Sequence, residues 1–190
     1  MKYDIMLAGV GGQGVLSLAA LIGRAAVAEG LQVKQSEVHG MAQRGGGVLS
    51  HLRLADHAIA SDLVPLGTAD LILSMEPLEI LRYLDYLSPS ATVVTATEPF
   101  VNIPDYPPIA EVLERIGRLP HAIRVDAERL AREAGDPLTR NTVMVGAAAH
   151  LLPLQRGSFD GAIRQTFGAK GERAVAVNLA AFEAGWGVSA

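Results

Sequence analysis

Short apolar runs alternate along the chain with longer stretches of helical composition, and glycine or proline marks most of the junctions. Residues 3–8 form a β-rich run ending at Gly9, the pattern of a buried parallel strand. Residues 12–29 read as a helix, with Gly30 placed to close it. Residues 31–36 make a second strand, so strand, glycine turn, helix and strand together predict a right-handed βαβ crossover. A polar, glycine-dense loop occupies 37–47. In residues 48–54, Val48, Ser50, Leu52 and Leu54 share one face, and Leu49, His51 and Arg53 share the other. Asp56 and His57 supply a turn into 58–61, which predicts a hairpin inserted into the α/β plan.

Residues 69–75 give another apolar strand, and Pro77 suits the first turn of a following helix, where its missing N–H costs nothing. Residues 91–95 read as a strand, 99–108 as an irregular proline-marked connection, 109–117 as a helix and 121–125 as a strand. Asp126 is placed to cap a helix ending near Gly135. From Arg140 onward only helices are expected, the last over about 172–185. The expected fold is a single α/β domain over residues 1–190. It has a doubly wound, mostly parallel sheet, an inserted β-hairpin and a helical C-terminal end. Residues 12–29 and 142–152 are apolar around nearly their whole circumference, so both helices must be buried on all sides. A second chain or the chain's own C-terminal helices could cover them, and a homodimer is one form the isolated chain could take.

Composition narrows the partners. The 190 residues carry a net charge of −4, with Lys and Arg scattered among Asp and Glu and no basic stripe, so nucleic acid is not an expected partner. Charged residues make up 19%, low enough to imply that some surface is covered. There are no cysteines, which rules out thiolate-held iron–sulfur clusters, Cys-ligated zinc and a thiol nucleophile on this chain. No apolar run is long enough to span a bilayer. The N-terminus enters the first strand without a leader, so a cytoplasmic location is expected. No pair of histidines has metal-ligand spacing.

The candidate chemistry lies in two glycine-rich turns. Gly9-Val10-Gly11-Gly12-Gln13-Gly14 fits G-x-G-x-x-G between a strand and a helix, which favours a phosphate cradle backed by the helix N-terminus. Gly9, Gly11, Gly12, Gln13 and Gly14 are the candidate cofactor-binding residues. Glu37 joins them because it lies near the spacing of a ribose-binding acid. Packing of helix on strand alone would also explain the glycines. The second loop should open on the same sheet edge, together with Glu76 and Glu98. There His39, able to donate or carry a proton, and Arg44, able to fork onto a carboxylate or phosphate, are the candidate catalytic residues. Pairing of Arg44 with Glu37 and capping by His39 are the structural alternatives. His51, on a strand face beside Arg53, reads as structural, and His57 as a turn residue.

The glycine turn, followed by Ser36-Glu37-Val38-His39-Gly40-Met41-Ala42-Gln43-Arg44-Gly45-Gly46, resembles the gamma-type domain of the 2-oxoacid:ferredoxin oxidoreductases. The His39-Gly40-Met41 variant is most similar to the indolepyruvate-specific branch. Ala69-Asp70, Glu76-Pro77-Leu78-Glu79 and Asn141-Thr142-Val143-Met144-Val145-Gly146 extend the likeness to about Leu152. The resemblance implies a small subunit without a redox centre. Its large partner would hold thiamine diphosphate and iron–sulfur clusters, decarboxylate an arylpyruvate, reduce ferredoxin and release an acyl thioester of coenzyme A (CoA). A stand-alone NAD(P)-dependent oxidoreductase and a purely structural partner are the competing expectations.

Overall fold

The computed structural model describes residues 1–39 and 45–188, with His39 described by its backbone alone. Strand β1, Lys2–Val10, is the centre of the sheet. Its pleat sends Ile5 and Leu7 into one hydrophobic cluster and Met6 into another. β4, Ala69–Ser74, lies parallel to it and repeats the sorting, with Leu71 and Leu73 on the first face and Ile72 on the second. β5, Leu87–Ala96, and β6, Ala122–Val125, continue the parallel half. On the other side of β1 lie β3, Gly47–Ala55, and then β2, Gln32–His39, giving the order β2-β3-β1-β4-β5-β6.

The expected mostly parallel α/β sheet with an inserted hairpin is present, but the hairpin is made of different strands. β3 is antiparallel to both neighbours and pairs with β2 from Gln32↔Ala55 to His39↔Val48. β2 and β3 are therefore the hairpin, and β3 separates β2 from β1, so the first crossover does not join adjacent strands. Residues 58–61 form no strand. Arg53 explains why: its guanidinium forks onto buried Asp4 at 2.8 and 3.1 Å and donates to the carbonyls of Ser61 and Leu63 at 3.0 Å each. Those carbonyls are held by a side chain rather than by a ladder.

The helices are α1, Val15–Ala28; α2, Pro77–Ile80; α3, Ile109–Gly117; α4, Ala127–Glu133; α5, Arg140–Ala149; α6, Arg156–Phe167; and α7, Glu172–Trp186. α1 begins later than its composition predicts, because Gly12 and Gly14 adopt φ of +103° and +77°. The two all-round apolar helices are covered largely from within the chain. Residues 142–149 of α5 are all buried, and α7 crosses so closely that a Cβ added at Gly146 would stand 2.2 Å from the Phe182 carbonyl oxygen. α6 packs on α1 with Phe159, Ala162 and Ile163 buried. Burying a side chain such as Phe159 contributes about 1.5–3 kcal/mol, so this layer supplies much of the core. α1 still leaves Leu16 and Val27 exposed.

Candidate functional site

The glycine turn is built as a close approach. A Cβ at Gly9 would lie 2.8 Å from Val15 Cγ2 and 3.1 Å from Gln13 Oε1, so strand and helix meet only because Gly9 has none. Gln13 ties the turn together. Its backbone N–H donates to Val10 O at 3.0 Å, its Oε1 accepts from Val10 N at 2.8 Å, and its Nε2 donates to Met75 O at 3.1 Å. Asn141, on the first turn of α5, donates through Nδ2 to Gln13 O at 3.0 Å and Gly14 O at 2.6 Å. The N-termini of α1 and α5 are thereby held beside one another. α1 has no side-chain cap, whereas the 3-10 turn that leads into α5, Pro137–Thr139, is capped by Asp136, which accepts from Leu138 N at 2.9 Å.

The second glycine turn meets the first directly. Gly11 N donates to Gly46 O at 2.8 Å, and Gly45 N donates to Gly11 O at 3.3 Å. Asn102 reaches across from the connection after β5 and donates to Gly45 O at 2.7 Å. Because β2 and β1 are both antiparallel to β3, their C-terminal ends share one rim, as the sequence predicted. The Gly12 amide donates to nothing among the described residues, and a Cβ built at Gly12 meets nothing within 4 Å, so this part of the rim is open.

Two acids lie beneath the junction. Glu76, 1% exposed, caps α2 by accepting Glu79 N at 2.9 Å, and its other oxygen accepts from Phe100 N at 3.4 Å and from the Tyr106 hydroxyl. Glu79 Oε1 pairs with Arg82 Nε at 3.2 Å, whereas its buried Oε2 has no hydrogen-bond partner among the described residues. Burial pushes the Glu79 carboxyl above the usual carboxylate range; the Glu76 charge adds to this and the Arg82 guanidinium opposes it. Burial likewise raises Glu98, beside Asp126 at the end of β5.

A cavity of about 470 Å³ opens along the glycine turn, lined in part by Gly12, Gly14, Ser17, Arg140, Asn141 and Lys170. Among the described residues neither Arg140 nor Lys170 makes an ion pair, although Lys170 lies 5.6 Å from the Phe167 ring centroid. Two cations, the uncapped N-terminus of α1 and an open amide suit a phosphorylated ligand, and they outnumber the one carboxylate on the lining, Asp136.

The structure brings Gly9, Gly11, Gly12, Gln13 and Gly14 together at this rim. Arg44 and the side chain of His39 lie outside the described residues. Glu37 pairs with Ser50 on the edge strand, so β3 stands between it and the glycine turn's strand. That separation, roughly 10 Å for two strand spacings, differs from a dinucleotide fold, whose ribose acid ends the adjacent strand. Glu76 is at the rim but works as a cap. His51 is buried and its Nδ1 accepts Val64 N at 3.1 Å, as a structural residue should. Sequence reasoning gave no separate role to Asn102, Glu79, Arg140 or Lys170. Asn141 entered only as one member of a motif.

Residues 4–188 match the family described as Pyruvate ferredoxin/flavodoxin oxidoreductase. The chain is 37% identical to the indolepyruvate oxidoreductase subunit IorB of Methanothermobacter thermautotrophicus, covering 100% of this chain and 99% of that one. It is 38% identical to the subunit of the same name from Pyrococcus horikoshii, covering 97% and 94%. Among solved structures, the keto/oxoacid ferredoxin oxidoreductase gamma subunit of Geobacter sulfurreducens superposes with a TM-score of 0.72 at 21% identity, covering 98% of each chain. The 2-oxoglutarate:ferredoxin oxidoreductase of Magnetococcus marinus, solved with 2-oxoglutarate, coenzyme A and succinyl-CoA bound, gives a TM-score of 0.78 at 22% identity. That match covers 99% of this chain but only 31% of the longer one. From its sequence match and end-to-end relatives, the chain belongs to the pyruvate ferredoxin/flavodoxin oxidoreductase family.

Proposed function

We propose that this chain is the small subunit of a cytoplasmic 2-oxoacid:ferredoxin oxidoreductase acting on indolepyruvate or a related arylpyruvate. The observation that carries this reading is the junction of the two glycine turns, in a chain that matches the indolepyruvate oxidoreductase subunits along their whole length. In this reading the rim holds the phosphate end of coenzyme A, the ligand named for the Magnetococcus enzyme. The open Gly12 amide and the N-terminus of α1 receive the diphosphate, and Arg140 and Lys170 supply compensating charge. Bound coenzyme A supplies the thiol that accepts the acyl group. Thiamine diphosphate and the iron–sulfur clusters belong to a larger partner subunit, in keeping with a chain that has no cysteine to ligate a cluster.

Arg44, next in sequence to Gly45, is assigned a carboxylate or phosphate contact in the same assembly, and His39 a proton or hydrogen bond. The test is ferredoxin reduction by the purified large subunit with and without this chain, driven by indolepyruvate and coenzyme A. A marked gain on adding the chain is expected, and no gain overturns the proposal. Arg44→Ala should lower that turnover at an unchanged unfolding temperature; unchanged turnover removes Arg44 from the site.

A further inference from the structure

Glu79 presents an anomaly that capping and packing do not resolve. Its side chain is 4% exposed, yet Oε2 has no donor among the described residues, and a buried carboxylate oxygen left unmatched is costly. Oε2 is aimed at the second glycine turn: a Cβ at Gly47 would lie 3.0 Å from it. Gly47 is the register partner of Val10, and its neighbour Gly46 accepts the Gly11 N–H. The carboxyl therefore lies directly behind the point where the two amide turns join.

We propose that Glu79 is a positioning residue that acts through Gly47 and couples anion binding at the rim to uptake of a proton on Oε2. The inference rests on the phosphate reading of the rim. A negative Glu79 places an opposing charge behind the amides that receive the ligand, and a proton taken from solvent removes it. Because linkage is reciprocal, a bound phosphate group must favour the protonated acid. Among the described residues, the charged and titratable groups acting on Glu79 are Arg82 just past its own helix, Glu76 at the helix start, Tyr83, and Tyr106 from the following connection. Arg82 is half-exposed and reaches only Oε1, so it leaves Oε2 free to accept the proton. Burial and Glu76 already favour that protonated form.

The probe is dephospho-coenzyme A, whose diphosphate keeps one charge state from about pH 5 to 8. It is titrated calorimetrically into the complex of this chain with its large subunit, in buffers of different ionisation enthalpy. Wild type should take up a fraction of a proton per ligand bound, and its affinity should weaken on the order of tenfold across the range. Glu79→Gln should show neither effect. Arg82→Gln, which leaves Glu79 in place, should move the uptake profile to higher pH and keeps the test decisive if Glu79→Gln does not fold. An uptake profile unchanged by both substitutions overturns the role of Glu79 while leaving the phosphate reading intact. Absence of binding by wild type at every pH removes the phosphate reading and this inference with it.

Discussion

At the residue scale, the rim depends on a few contacts with no room to spare. Gly14 sits at φ +77°, and a Cβ there would stand 2.7 Å from Asn141 Nδ2. Gly14→Ala should therefore cost about 1–3 kcal/mol and displace Asn141, which a thermal melt would register as a lower midpoint. Asn141→Ala removes two donors from the carbonyls of Gln13 and Gly14 and should cost a similar amount, roughly 1–3 kcal/mol, while weakening coenzyme A binding. His51 gives a pH signature. Burial lowers its pKa below the ordinary histidine value, and its Nδ1 must stay unprotonated to accept Val64 N–H. The unfolded chain then binds more protons than the folded one between the lowered pKa and about 6.5. The contribution is complete above that window and is lost as pH falls through it. His51→Gln should flatten the loss of stability on mild acidification, measured by denaturant melts; an unchanged slope would show that another group titrates there.

At the element scale, strand and helix identities were readable where periodicity was strong, and strand neighbours were not. The pleat of β1, Pro77 in the first turn of α2 and the Asp126 cap of α4 follow from local rules that act within a few residues. That residues 58–61 form no strand was hidden in the sequence, because the hold of Arg53 on the Ser61 and Leu63 carbonyls acts through space and leaves no periodic trace in residues 58–63. The contact of α5 with α7 was equally hidden, since it requires two glycines far apart in sequence. A Cβ at Gly185 would fall 1.9 Å from the Val143 carbonyl oxygen, and one at Gly146 would be 2.2 Å from Phe182 O. Gly185→Ala should push the helices apart and cost at least about 1–3 kcal/mol. Gly161→Ala, where a Cβ meets nothing within 4 Å, should be neutral or slightly stabilising in the same melt. Equal midpoints for the two variants would contradict the close helix crossing.

At the scale of the whole molecule, the C-terminal helices answer the question posed by two helices apolar on every side. Ending the chain at Pro153 removes α6 and α7 and uncovers Val143, Met144 and Ala147, so the truncated protein should lose cooperative unfolding and aggregate. The shared rim of the two glycine turns was legible because strand direction dictates where loops emerge. The cations and the buried acid around it come from segments as distant as Arg140, Lys170 and Glu79, which only the folded chain assembles. What this rim binds is the point on which the functional account turns. Amide hydrogen exchange of the assembled complex, with and without saturating coenzyme A, measures it most directly. The account predicts slowed exchange in peptides spanning residues 9–17 and 45–48, and no change over 57–66 at the opposite end of the sheet. Unaltered exchange at residues 9–17 and 45–48 under saturation would contradict it.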